Sequence, residues 1–185
     1  MRPVALYDAN VLYPAPLRDL LMQLAYDEVI QAHWTNQIHD EWIRNVSADR
    51  PDLKLQKLQA VAQLMDSSVE GALIHGFEAL IETLTLPDPN DRHILAAAIH
   101  AKAQVIVTNN LKDFPSAVLA PFGIQARNAD NFILGVLETN QAAVIQVLRT
   151  IQSRLRKPPV AMAEYLATLE QVGLKKSIEV IKALI

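Results

Sequence analysis

A chain of 185 residues, 51% of them hydrophobic, can bury a real core and suits one domain with a modest appendage better than two full domains. It contains no cysteine, which excludes disulfides, thiolate metal sites and a cysteine nucleophile; its formal net charge of −3 argues against a broadly basic nucleic-acid footprint unless the acids are gathered at one site. Even the most apolar stretch, 94–107, is broken by His100, Lys102 and Gln104, short of the roughly 18 to 20 residues a membrane helix needs. The opening residues reach Asp8 too soon to hold the apolar core of a signal peptide, so the chain is expected in the cytoplasm with no membrane partner.

In chain order, Val4 to Tyr7 reads as a short apolar strand, and leucines at 17, 20, 21 and 24 predict a helix over 16–26. Val29 to Trp34 suits a second strand. A helix over 37–46 carries Ile38, Trp42 and Val46 on one stripe, and Pro51 marks a boundary after it. Leu55, Leu58, Ala62 and Met65 predict an amphipathic helix over 53–65, followed by another over 77–84. Residues 89–102 form a strong helical pattern leading into the buried strand Val105 to Val107. After the turn-like Asn109-Asn110, residues 116–121 read as helix, 123–126 as a last strand and 130–137 as a closing helix. Alternating strands and helices favour a parallel sheet covered by helices, an α/β fold.

The remainder is expected to be all helical. Val144, Leu148, Ile151 and Leu155 form one stripe, Met162, Tyr165, Leu166 and Leu169 a second after Pro158-Pro159, and Ile178, Ile181 and Leu184 or Ile185 a third after Gly173. This predicts a main domain over residues 1–137 and a helical extension over 138–185. The extension's stripes would pack on the domain or form a homodimer. Arg149, Arg154, Arg156 and Lys157 read as a solvated helix face in preference to an RNA contact.

Asp8 falls at the carboxyl end of the first strand, the sheet edge where ligands bind in open parallel sheets, although a turn or cap acid would also sit there. The segment Asp88-Pro89-Asn90-Asp91 opens a helix: Asp88 suits the N-cap, Pro89 the first helical position, and Asp91 the third, where an acid also complements the helix dipole. Capping does not explain the facing of Asp91. With Ile94, Leu95 and Ala98 it stands at i, i+3, i+4 and i+7, so its carboxylate shares the apolar face and needs a partner such as a metal ion. Asp113 follows the turn after Val105 to Val107, at the same sheet edge as Asp8, while Asn109 and Asn110 are explained by turn chemistry alone. Glu41 lies three residues after Ile38, near an apolar stripe, yet one acid on a charged helix is ordinarily a solvated face. Together the four carboxylates, with neither thiolate nor obligatory histidine, suit Mg²⁺ or Mn²⁺ better than zinc. Two such ions about 3.5 to 4 Å apart can activate water and stabilise the leaving oxygen in phosphodiester cleavage.

Asp8-Ala9-Asn10-Val11-Leu12, Glu41 on its helix, Asp91-Arg92-His93-Ile94-Leu95-Ala96-Ala97-Ala98 and Thr108-Asn109-Asn110-Leu111-Lys112-Asp113-Phe114, taken in order over residues 3–135, resemble the PIN-domain family, especially the VapC-type toxin ribonucleases of bacteria. The resemblance implies a PIN-like three-layer fold in which Asp8, Glu41, Asp91 and Asp113 are the catalytic and metal-site acids. It implies Asn10, Thr108 and Asn110 as supporting polar groups, beside the N-cap Asp88. It further implies Mg²⁺- or Mn²⁺-dependent hydrolysis of single-stranded RNA leaving a 5′ phosphate, and a cognate antitoxin protein as partner. The helical extension departs from the compact toxins.

A haloacid-dehalogenase-type phosphatase also begins with an aspartate after its first strand, but it needs a second acid two residues on, where this chain has Asn10. No glycine-rich loop follows the first strand, against a dinucleotide site, and there is no G-x-S-x-G serine motif. The rival from another class is a catalytically silent PIN-like RNA-binding or scaffold module, which would be marked by a missing carboxylate. All four positions are filled. The five histidines show no metal-ligand spacing, and His93 is expected to be a surface or capping residue.

Overall fold

The computed structural model describes residues 2–185. Val4–Tyr7 (β1) and Val105–Val107 (β3) are apolar runs, and both lie buried in the middle of a sheet, where strands covered on both faces lose the polar alternation of half-exposed ones. Gln31–His33 (β2) and Gln125–Arg127 (β4) flank them, giving a four-stranded parallel sheet of order β2-β1-β3-β4. The chain runs outward from β1 to β2, then returns to the other side of β1 for β3. The reversal opens a crevice between the carboxyl ends of β1 and β3, the place where such sheets bind ligands. The register pairs Tyr7 with Val107, so Asp8 and Thr108 leave the sheet side by side.

Helices cover the sheet: Ala9–Leu12 (α1), Ala15–Tyr26 (α2), Asn36–Asp49 (α3), Leu55–Ser68 (α4), Glu78–Ile81 (α5), Arg92–His100 (α6) and Ser116–Leu119 (α7). The predicted stripes face inward, with Leu17, Leu20, Leu21, Leu24, Ile38 and Trp42 fully buried, but Leu55 points to solvent. The second strand is shorter than the 29–34 reading because Glu28 takes a positive φ of 57° and Val29 folds back onto the Leu24 carbonyl. Trp34 beyond it makes only an isolated bridge to Leu73. The helix expected over 77–84 is confined to α5, where the Thr83 hydroxyl bonds the Leu80 carbonyl and competes with helix continuation. The helix expected over 89–102 opens as a 3₁₀ turn, Pro89–Asp91, before α6 proper, and ends where Lys102 adopts a positive φ of 54°.

Ala129–Arg154 (α8) runs on from the segment read as a closing helix, with one non-helical residue, Asn140, producing a kink. Met162–Gln171 (α9) and Lys175–Leu184 (α10) complete the chain; α8 and α9 pack on α2, and α10 packs on α8 and α9. The three apolar stripes are thereby buried apart from the half-buried Met162 and the exposed Leu155, Leu184 and Ile185. Arg154 turns back to give its Nη1 to Gln23 Oε1 at 2.8 Å, while Arg156 bonds the Ser153 carbonyl. Asp130 is buried at the start of α8. Its carboxylate accepts from the backbone N–H groups of Lys176 and Ser177 at 2.9 and 2.8 Å and from the Ser177 hydroxyl at 2.6 Å, capping α10 from a distant part of the chain. Among the described residues no helix is long and apolar enough to cross a membrane.

Candidate metal-binding and active site

The site is built on the β1/β3 crevice. Asp8 continues the extended backbone just past β1, its own N–H bonded to the Val107 carbonyl at 3.1 Å, and is only 7% exposed. Its Oδ2 accepts from the Thr108 hydroxyl at 2.7 Å and from Asn10 Nδ2 at 2.5 Å. Thr108, fully buried, uses its hydroxyl completely: it donates to Asp8 and accepts from Asn10 Nδ2 at 2.9 Å and from the Asn110 N–H at 3.0 Å. Asn10 Oδ1 in turn takes the Asn109 N–H at 2.9 Å, and Asn110 Nδ2 donates to Asp113 Oδ2. A continuous chain of hydrogen bonds therefore runs from Asp8 across both strand ends to Asp113. The asparagines that read as turn residues also fasten these two acids.

Asp91 closes the 3₁₀ turn ahead of α6, half-buried, with its Oδ2 buried and lacking any hydrogen-bond partner. Burial, followed by the negative charges of Asp8, Asp88 and Asp113, pushes its carboxyl up to about 6. Asp8 is also raised, first by burial; the Thr108 hydrogen bond opposes this, while the charge of Glu41 adds to it. Asp88 holds the turn by accepting the Asn90 N–H at 2.8 Å. Glu41 projects from α3, whose register is set by the Thr35 side-chain cap and the buried Ile38 and Trp42.

The four carboxylates thus act on one another electrostatically around one sheet edge. Among the described residues no three His, Asp or Glu side chains converge tightly enough to chelate an ion as they stand. The donor set nevertheless fits a hard divalent cation. It is all oxygen, its like charges repel without a counter-charge, and it includes an orphaned buried oxygen on Asp91 that a cation would satisfy.

His93 departs from expectation. It is 3% exposed, neither a surface nor a capping residue, and its Nε2 lies 2.9 Å from Glu41 Oε1. The spacing pattern had a signal for this burial: His93 directly precedes the apolar run Ile94 to Ala98, all of it buried.

Residues 4–112 match the PIN domain family, and residues 129–183 match the family described as VapC50 C-terminal domain. The chain is similar to the protein named Putative ribonuclease VapC50 of Mycobacterium tuberculosis, with 41% identity over 83 residues, covering 44% of this chain and 49% of the relative. It thus spans about half the length of the curated relative it matches. No solved structure matches the chain. The matched span runs from β1 through the turn after β3 and so contains Asp8, Glu41, Asp91 and Thr108, and with the VapC50-type helical module behind it the chain belongs to the PIN-domain family, on its VapC-type branch.

Proposed function

We propose that this protein is a Mg²⁺- or Mn²⁺-dependent endoribonuclease acting on single-stranded RNA, with Asp8, Glu41, Asp91 and Asp113 as its site acids. The observation that carries this reading is the Asp91 carboxylate, whose Oδ2 is buried without a partner while three other aspartates raise its proton affinity. Such an arrangement is costly unless a cation or a proton neutralises it, and it stands at the crevice where open parallel sheets bind ligands. The name of the Mycobacterium tuberculosis relative, Putative ribonuclease VapC50, supports the same substrate class.

In this reading Asp8, Asp91 and Asp113 hold the cation, while Glu41 holds a second one or orients the attacking water and takes its proton. A bound divalent ion supplies charge stabilisation at the phosphate and makes water a better nucleophile near neutral pH. Thr108 and Asn10 fix Asp8 by their bonds to Oδ2, and Asn110 fixes Asp113, so neither acid has to be reoriented when substrate arrives. Asp88 contributes by shaping the turn that carries Asp91. The chemistry belongs to residues 1–137, and the extension over 138–185 braces α2 or joins two copies. In the same reading the protein works in the cytoplasm as the toxin of a toxin–antitoxin pair, with a cognate antitoxin as protein partner and RNA as substrate; its likeness to VapC-type proteins supports this.

The test is cleavage of a labelled single-stranded RNA by purified protein with Mn²⁺, Mg²⁺ or EDTA, beside Asp91→Asn. Metal-dependent cutting that the variant abolishes is the expected result. A folded wild type that binds metal and cuts none of a panel of RNAs would favour the silent-scaffold alternative.

A further inference from the structure

The reaction scheme leaves one buried polar side chain at the site without a task. His93 sits in the first turn of α6, two residues after Asp91, and its Nδ1 is buried with no hydrogen-bond partner. Its one polar contact among the described residues is Nε2 to Glu41 Oε1, at 2.9 Å across two helices. Glu41 is otherwise weakly held. Its side chain is 23% exposed and its remaining contact is Gln37 Nε2 at 3.4 Å, near the limit of a hydrogen bond and also on Oε1. A glutamate with three rotatable bonds and only that contact would sample several rotamers on the face of α3.

We propose that His93 is a positioning residue for Glu41: its Nε2 pins Oε1 to the start of α6 and leaves Oε2 for the divalent cation or the attacking water. The inference rests on the nuclease reading above and deepens it. Three features set this contact apart from a chance ion pair. The histidine is more deeply buried than its partner, it stands on the same turn as Asp91, and the charges of both His93 and Glu41 act on Asp8. Burying an imidazole with Nδ1 unpaired costs free energy and calls for an explanation, and the close contact of Nε2 with Glu41 is what its surroundings offer. The contact also ties Glu41 on α3 to the first turn of α6, immediately after the turn that carries Asp91.

Calorimetric titration of the full chain with Mn²⁺ alone tests this, with a metal-free melting curve for each variant as the control for folding. His93→Leu is expected to bind Mn²⁺ about 10- to 100-fold more weakly than wild type, the loss typical when a partner that orients a metal ligand is removed. His93→Gln places an amide nitrogen where Nε2 stands and should restore most of the affinity, whereas His93→Asn overlays Nδ1 and should not. Adding His93→Leu to Glu41→Gln should cost little beyond Glu41→Gln alone, because the histidine acts through the glutamate. Wild-type affinity in His93→Leu, or equal losses in His93→Gln and His93→Asn, overturns the positioning role while the nuclease reading stands. Where His93→Leu fails to fold, the Gln and Asn comparison decides by itself. Wild-type protein that binds no Mn²⁺ overturns both.

Discussion

Thr108 Oγ1 and Asp8 Oδ2 stand 2.7 Å apart although 100 positions separate them in the chain, because β1 and β3 are parallel neighbours whose last residues pair in register. Thr108→Val keeps the shape and removes the hydroxyl, stripping a donor from Asp8 and an acceptor from both Asn10 and the Asn110 N–H. Stability should fall by about 1 to 3 kcal/mol in urea unfolding, and Thr108→Ser should recover most of it. RNA cleavage should fall about tenfold or more in the valine variant, as for other groups that orient metal ligands.

Asp91→Asn should abolish RNA cleavage and yet raise the metal-free melting temperature at neutral pH. The cost of burying its charge, and after that its repulsion by Asp8, Asp88 and Asp113, disappears in the variant. Discounted for solvent screening of a half-buried group, the gain is on the order of 1 kcal/mol. Saturating Mn²⁺ should reverse the ranking, stabilising wild type more than the variant, since only the state that binds the ion gains from it.

The same group sets a pH dependence whose sign can be worked out. Folding raises the Asp91 carboxyl from the ordinary aspartate value of about 4 to about 6, so between these values the folded chain binds more protons than the unfolded one. Stability contributed by this group is therefore present at the acid end and lost as pH rises from about 4 through about 6, with Asp8 shifted in the same direction. Metal-free unfolding free energies of Asp91→Asn, measured across this window, should show a shallower decline than wild type. Parallel curves would show that Asp91 does not titrate in the window.

Away from the site, Trp42 Nε1 donates to His39 Nδ1 at 2.9 Å, which puts the ring proton on Nε2, facing Asp66 Oδ1 at 2.9 Å; Trp34 Nε1 donates to the same oxygen at 2.7 Å. Asp66→Ala leaves two N–H donors stranded and should cost about 2 to 4 kcal/mol by chemical denaturation. Asp66→Asn keeps an acceptor oxygen with two lone pairs and should cost clearly less. Mn²⁺ affinity should be unaffected in both, because this network fastens α3 to α4 and contains none of the site acids.

Asp130→Ala should detach the end of the helical extension without touching the crevice. It removes three hydrogen bonds from the first turn of α10, a loss of about 1 to 3 kcal/mol, and hydrogen exchange should show protection falling first over 175–184.

Much of this architecture is written locally. The apolar runs at 4–7 and 105–107 announce buried parallel strands, and the 3.6-residue stripes at Leu17 to Leu24, Ile38 to Val46 and Val144 to Ile151 announce helices, because burial of one face requires that spacing whatever the neighbours are. The inward facing of Asp91 was legible for the same reason. Element ends were less so: the 3₁₀ opening at Pro89–Asp91, the backward turn at Glu28 and the short α5 depend on backbone hydrogen bonds whose competitors lie within a few residues and differ by small energies. Only tertiary structure decided which polar groups meet. Thr108 reaches Asp8 through strand register, His93 reaches Glu41 because α3 and α6 flank one crevice, and Asp130 caps α10 from 46 positions away. Hydrogen bonds and ion pairs are short-ranged, so partners far apart in sequence acquire them only when packing of the core brings two elements into contact, and no periodicity in the chain encodes that meeting.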